Sequence, residues 1–197
     1  MRLFIAVDLP VEVKASIELA IAPARARLPR ARWVRSENLH LTLAFLGEVS
    51  VEQRERAVEH LSEKLEQEGG FSYRVAELGA FPPAGKARVL WLGLEPAADF
   101  ERLASQVRVA LQAAGVPFDA KAFRAHVTLA RLDPPWAPPL RATIAEQLSP
   151  LCAPLSRPLI GCDRVTMFAS TLGSAGPSYR VEQEFRLPPA AERAGAA

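Results

Sequence analysis

Two seven-residue segments of this chain match each other at five positions, and each begins with a histidine. They are HLTLAFL, from His40 to Leu46, and HVTLARL, from His126 to Leu132. Imidazole is the side chain whose ordinary pKa, about 6.5, lets it act as acid or base near neutral pH. The third position of both segments is threonine, whose hydroxyl group can donate a hydrogen bond to an anion. The repeat therefore predicts one reaction site built from two similar halves.

The spacing within each segment places histidine and threonine on one face of a β-strand, because side chains alternate along a strand. His40 and Thr42 share one face, and His126 and Thr128 share the corresponding face 86 residues later. Packing requires a strand to be apolar, but it does not require His and Thr at matching places twice. The repeat therefore favours a functional role for both histidines. The third histidine, His60, lies in the charged stretch RERAVEHLSEK and is predicted to be a surface residue.

Two imidazoles across a cleft can divide the work of displacement at phosphorus. The neutral ring takes a proton from water or a hydroxyl group, and the charged ring gives a proton to the leaving oxygen. The hydroxyl groups of Thr42 and Thr128 can stabilise charge on the phosphate oxygens as the transition state forms. Two histidines without a neighbouring carboxylate make a poor zinc site, since three protein ligands are usual even in catalytic zinc sites. The residues predict chemistry without a metal ion or another cofactor.

The composition of the 197 residues is that of an ordinary globular protein, with 49% hydrophobic and 23% charged residues. The net charge of +2 predicts no strong field for a long polyanion, so affinity for RNA is expected to rise only slightly beyond the terminal few nucleotides. Cys152 and Cys162 have no metal-ligand or redox spacing and are predicted to be buried thiols. The N-terminus does not read as a signal peptide, and no apolar run approaches the roughly 20 residues of a membrane span. We expect a cytoplasmic monomer.

Strand and helix patterns alternate along the chain and predict an α+β fold with two similar lobes. Each lobe is expected to be a mostly antiparallel sheet with helices on its outer face, and the histidine strands to face a central cleft. The predicted strands are 2–9, 32–34, 39–46, 71–78, 88–94, 124–132, 164–170 and 179–187. The predicted helices are 10–28, 50–68, 100–114 and 140–148, the second beginning at a Ser50–Gln53 capping box, and 133–139 is predicted to be a loop. Residues 1–187 form one bilobal phosphoesterase domain in this prediction, and 188–197 a flexible tail.

Two H-x-T-L segments at this spacing resemble those of the two-histidine (2H) phosphoesterase superfamily. Within it, the chain is most similar to the RNA 2′,3′-cyclic phosphodiesterases, also called the 2′-5′ RNA ligase family. The resemblance extends to RLFIAVDLP, RWVRSENLHLTLAFLGEV, RVLWLGL, HVTLAR and GPSYRVEQEFRL. It implies metal-independent hydrolysis of RNA 2′,3′-cyclic phosphate ends to 2′-phosphomonoesters, with 2′-5′ ligation as the reverse reaction. It also implies His40 as general acid and His126 as general base, with Thr42 and Thr128 on the phosphate.

Two further roles rest on this resemblance alone. Arg131 matches a family arginine that contacts phosphate, and Phe45 matches an aromatic that packs on the terminal base. Strict alternation turns both side chains away from the histidine face, so these roles require the strands to twist or bend. A core role is the alternative for Phe45. Tyr179 and Ser170 belong to the family's C-terminal strands near the cleft, and packing is favoured over substrate contact for both.

Two other functions compete with RNA end hydrolysis. One is a phosphodiesterase acting on a small cyclic nucleotide or a nucleotide-sugar cyclic phosphate. The other is a nucleotide- or RNA-binding module without turnover. Histidines in both segments argue against the binding module, because binding needs only threonine, arginine and aromatic groups.

Overall fold

The computed structural model describes residues 1–27, 31–83, 85–137, 142, 146, 152–173 and 176–189. The strands are β1 (Arg2–Asp8), β2 (Ala31–Trp33), β3 (His40–Glu48), β4 (Phe71–Phe81), β5 (Ala87–Glu95), β6 (His126–Trp136), β7 (Ile160–Cys162), β8 (Arg164–Gly173) and β9 (Gly176–Arg186). The helices are α1 (Val11–Arg27), α2 (Val51–Leu65) and α3 (Ala97–Ala113), with short 3₁₀ turns at Ser36–Asn38 and Ala153–Ser156. The predicted α+β class is confirmed. The helix predicted over 140–148 and the tail predicted over 188–197 lie outside the described residues, apart from 142, 146, 188 and 189.

The sheet consists of two four-stranded halves that meet at the histidine strands. One half has the order β7-β4-β5-β6 and the other β3-β1-β8-β9, with every pair antiparallel. β3 and β6 pair at Leu41 and Val127, the second residues of the two repeated segments. β2 lies beside β6 as well, in line with β3. The two predicted lobes are thus joined through a seam, and each histidine strand is the inner edge of its own half.

Helices cover one face of this sheet. α3 packs against β3 and β5, while α2 packs against α3 and β9. The core between them includes Leu41 and Val127, the apolar residues of the seam. The predicted capping box is present at the start of α2, where the Ser50 hydroxyl accepts from the Gln53 amide and the Gln53 side chain accepts from the Ser50 amide. Among the described residues, no helix is long and apolar enough to cross a membrane.

The predicted loop at 133–139 is wrong over its first four residues. β6 continues to Trp136, which pairs with Ala87 of β5. Between Trp136 and Arg131 the ladder with β5 is interrupted, and Pro134 and Pro135 lie in this interruption. Proline, which has no N–H to donate, is tolerated in a strand where no ladder hydrogen bond is needed. Pro134 and Pro135 therefore mark an irregular stretch of β6 and not a loop.

Candidate active site

A cleft of about 860 Å³ opens at the seam and is lined by both histidine strands. The antiparallel pairing of Leu41 with Val127 fixes which residues are neighbours there. By this register His40 lies beside Thr128, and Thr42 lies beside His126. All four line the cleft. The structure thus brings the two predicted half-sites together as a quartet, related by an approximate two-fold axis through the seam.

Each imidazole is held by a backbone carbonyl two residues before it. The Nδ1 atom of His40 lies 2.7 Å from the Asn38 oxygen, and that of His126 lies 2.7 Å from the Arg124 oxygen. A carbonyl oxygen only accepts, so Nδ1 carries the proton in both rings. The Nε2 atom of each neutral ring is therefore a proton acceptor. The Thr42 hydroxyl donates to the Nε2 atom of His40 at 3.0 Å.

Asn38 also ties His40 to the β8–β9 hairpin. This residue is buried, and its side-chain amide donates to the Pro177 carbonyl at 2.9 Å. The ring of Tyr179, two residues further along β9, meets the His40 ring edge-on with centroids 5.3 Å apart. Tyr179 thus packs on the His40 imidazole and lines the cleft, whereas Ser170 is outside the lining.

Aromatic surroundings lower the pKa of both histidines. The Phe4 ring lies 4.9 Å from the His40 ring, and burial lowers the pKa of His40 to about 4. The Phe81 ring lies 5.1 Å from His126, and burial lowers the pKa of that ring as well. Desolvation has this effect because it disfavours the charged imidazolium form. Both rings are accordingly neutral in the substrate-free protein at pH 7.

A bulge in each histidine strand resolves the conflict over Phe45 and Arg131. On β3, Thr42 and Ala44 oppose consecutive residues of β1, so Leu43 is an extra residue. On β6, Thr128 and Ala130 oppose consecutive residues of β5 in the same way. An extra residue shifts the alternation by one place. Position six of each segment therefore turns to the histidine face, and both Phe45 and Arg131 line the cleft.

Phe45 is not a core residue. Its side chain is 49% exposed, and its ring packs beside that of Phe4 with centroids 6.0 Å apart. The open face of the ring is available to a ligand in the cleft. The core role considered for this residue is therefore wrong.

The lining of the cleft is cationic although the whole chain has a net charge of only +2. Among the described lining residues the cations are Arg32, Arg35, Arg108, Lys121, Arg124 and Arg131, and the single carboxylate is Asp119. Net charge averages over the whole surface, so it hides this concentration of charge. Five of the six cations, all except Arg131, come from segments outside the repeat that only folding brings to the cleft.

The remaining candidate residues lie away from the cleft. His60 is a partly exposed residue of α2, outside the cleft lining. Cys152 and Cys162 are free and buried, and burial raises the pKa of their thiols to about 11 and about 12. No group of three or more His, Cys, Asp or Glu side chains suited to a metal ion occurs in the described part of the chain.

Comparison with known proteins places the chain in a family. The model of the LigT-like phosphoesterases matches it twice, over residues 7–91 and 92–179. An RNA 2′,3′-cyclic phosphodiesterase of Thermotoga maritima is 34% identical over 184 residues, which are 93% of this chain and 94% of the relative. One from Escherichia coli is 37% identical over 134 residues, 66% of this chain and 71% of the relative. The chain belongs to the LigT-like phosphoesterase family, as the paired H-x-T-L segments predicted.

Solved structures of similar fold cover nearly the whole chain. A crystal structure from Thermus thermophilus has a TM-score of 0.73 at 29% identity, covering 96% of this chain and 99% of its own. Escherichia coli LigT complexed with 3′-AMP has a TM-score of 0.71 at 26% identity, with coverages of 94% and 97%. The two matches of the family model correspond to the two halves of the repeat, one histidine segment in each.

Proposed function

We propose that this protein hydrolyses RNA ends that carry a 2′,3′-cyclic phosphate and leaves a 2′-phosphomonoester. The observation that carries the proposal is the pair of imidazoles at the seam. Backbone carbonyls hold both Nδ1 atoms, and both rings line one cationic cleft with Nε2 as the proton-transfer atom, which in His40 accepts from the Thr42 hydroxyl. The relatives named RNA 2′,3′-cyclic phosphodiesterase support the same reaction.

His126 acts as general base and His40 as general acid. The Nε2 atom of neutral His126 takes a proton from water while the water oxygen bonds to phosphorus. The bond from phosphorus to the 3′-oxygen breaks, and protonated His40 gives its proton to that oxygen. His126 gains one proton and His40 loses one. Proton exchange with solvent then restores the starting protonation state of both rings. When a 5′-hydroxyl group takes the place of water, the same bond to the 3′-oxygen breaks and a 2′-5′ linkage forms.

This assignment requires His40 to be protonated in the complex, although burial lowers its pKa to about 4 in the free protein. The bound phosphate supports that state, because a neighbouring negative charge favours the imidazolium form. Thr42, Thr128 and Arg131 hold the phosphate oxygens, and Phe45 stacks on the terminal base. No metal ion or other cofactor takes part. The protein works as a cytoplasmic monomer, with residues 1–187 as one domain.

The test is incubation of the full chain in EDTA with an oligonucleotide that ends in a 2′,3′-cyclic phosphate, followed by identification of the product. We expect a 2′-phosphate product at an unchanged rate. Loss of activity in EDTA that zinc or manganese restores contradicts the mechanism. Turnover of only a cyclic dinucleotide or a nucleotide-sugar cyclic phosphate contradicts the RNA assignment, and tight binding without cleavage identifies a binding module.

The pH dependence follows from the lowered pKa values. The reaction needs one neutral and one protonated imidazole, so the profile of kcat/KM is bell-shaped. Both rings have pKa values below 6.5 in the free protein, so kcat/KM falls as pH rises through the higher of them and is maximal below pH 6.5. The maximum of kcat lies at higher pH, because bound phosphate raises the pKa of the acid. Initial rates between pH 4 and pH 9 measure both profiles, and a kcat/KM maximum above pH 7 contradicts this expectation.

Phe45→Ala tests the stacking surface. Stacking of a base on an aromatic ring contributes about 1–3 kcal/mol and tolerates any base. We expect KM to rise by at least about fivefold, with a smaller change in kcat and little dependence on base identity. Val181→Ala is the control, since Val181 is 51% exposed but outside the cleft. Equal effects of the two substitutions on KM contradict a role in binding.

A further inference from the structure

Arg32 and Arg131 form a pair of like charges at one end of the cleft. They are directly opposite each other on the antiparallel strands β2 and β6. Both side chains are exposed, and both line the cleft. Like charges directly opposite on adjacent strands repel each other and destabilise the pairing. A bound anion between the two guanidinium groups removes this repulsion.

The protein itself neutralises this pair only weakly. Arg32 lies 3.5 Å from Asp133, and the two side chains are 73% and 71% exposed, so solvent screens their attraction. Arg131 has no ion pair among the described residues. At the other end of the cleft, Lys121 lies 2.8 Å from Asp119, and Arg124 stacks over the Trp91 ring at 4.5 Å. That end also has Arg108, which donates to the Lys121 backbone oxygen, so what distinguishes the Arg32 end is two like charges directly opposite each other.

This end is separate from the stacking surface of Phe45. β3 and β6 run in opposite directions from the seam, so Phe45 and Arg131 lie toward opposite ends of the cleft. Val127 and Arg131 pair with Leu92 and Val89 of β5, three residues apart, which is roughly 10 Å along the strand. The imidazoles lie between the two ends. An anion at Arg32 is thus displaced from the reacting phosphate, on the side away from the base.

The covalent structure of a cyclic-ended nucleotide fits this order of sites. The cyclic phosphate bridges C2′ and C3′ of the ribose, the base is attached to the neighbouring C1′, and the 5′-phosphate extends from the neighbouring C4′. Base and 5′-phosphate therefore flank the cyclic phosphate from opposite sides. With the base on Phe45 and the cyclic phosphate between the histidines, the 5′-phosphate points toward Arg32 and Arg131.

We propose that Arg32 binds the phosphate on the 5′ side of the terminal nucleotide, with Arg131 between this phosphate and the reacting one. Guanidinium groups suit this role because their fixed fork of donors matches phosphate oxygens. The inference rests on the proposed function and narrows its substrate class. The protein selects ends that carry a second phosphate, as every oligonucleotide does, over a lone nucleoside 2′,3′-cyclic phosphate.

The experiment compares a nucleoside 2′,3′-cyclic phosphate with the same compound phosphorylated at its 5′-oxygen. For the unmodified protein we expect kcat/KM to be about tenfold higher with the 5′-phosphate, a preference that shrinks at high salt. Arg32→Gln abolishes the preference and leaves the rate with the unphosphorylated compound unchanged. Arg88→Gln is the matched control, because Arg88 is an exposed arginine of β5 outside the cleft lining.

Other results contradict either the proposed phosphate subsite or the proposed function. If Arg32→Gln lowers kcat/KM equally for both compounds, Arg32 serves the reacting phosphate and the proposal is wrong. If it changes neither, Arg32 has no part in binding and the proposal is also wrong. If the unmodified protein hydrolyses neither compound and also leaves the cyclic-ended oligonucleotide intact, the proposed function fails. Calorimetric titration with nucleoside 3′-phosphate and nucleoside 3′,5′-bisphosphate then decides the subsite, since only a preference for the bisphosphate that Arg32→Gln removes upholds it.

Discussion

Replacement of His40 or His126 by alanine lowers kcat by at least about 100-fold, measured on a cyclic-ended oligonucleotide at the pH optimum of the unmodified protein. The reason is that each imidazole carries one of the two proton transfers, and a positioned acid or base contributes about 10²–10⁴-fold. KM changes less, since threonine and arginine groups hold the phosphate. The two substitutions act on one concerted step, so the double variant is expected to lose much less than the product of the two single losses.

His60→Ala is the matched control for this experiment, because His60 lies on α2 outside the cleft. It is expected to leave kcat and KM unchanged. Near-normal turnover by the His40→Ala or the His126→Ala variant means that the histidine concerned has only a structural role. Far-ultraviolet circular dichroism of each variant separates loss of chemistry from loss of fold.

Thr42→Val and Thr128→Val are each expected to lower kcat by about 100-fold. A hydroxyl group aimed at the phosphate stabilises charge that develops in the transition state, and loss of one such donor costs about 10²–10³-fold in kcat. Valine retains the shape of threonine but has no hydrogen-bonding group. Thr42→Val also removes the hydroxyl group that lies 3.0 Å from the Nε2 atom of His40. Steady-state kinetics on the cyclic-ended oligonucleotide measures both effects.

Serine at the same positions distinguishes hydrogen bonding from packing. Thr42→Ser and Thr128→Ser keep the hydroxyl group and are expected to retain most of the activity. Thr171→Val is the control for the loss of an exposed threonine from a strand, since Thr171 lies on β8 outside the cleft. If the serine variants are as impaired as the valine variants, the methyl group and not the hydroxyl group is what the site requires.

Chain order and side-chain type were enough to identify the quartet at the seam. The repeat gave His40, Thr42, His126 and Thr128, and alternation along a strand put each histidine on the face of its threonine. Local signals also placed most elements, as the Ser50 capping box did for α2. These features depend on residues close together in sequence, where backbone geometry leaves few options.

The pairing of distant strands decided the rest. Alternation alone turned Phe45 and Arg131 away from the histidines, and the bulges at positions 43 and 129 turn them back. A bulge is a mismatch between two strands, so it is defined by the partner strand as much as by its own residues. The backbone carbonyls that hold the imidazoles carry no side-chain signature at all.

The positive charge of the cleft likewise results from the pairing of distant strands. The sequence by itself determines a nearly neutral chain with two histidine segments, and its net charge predicts little gain in affinity for RNA beyond the terminal few nucleotides. Only the tertiary structure decided that six cations of the described residues share one cleft and that Arg32 lies directly opposite Arg131, 99 positions further along the chain. Electrostatic attraction depends on distances in space, which strand pairing sets and residue counts do not.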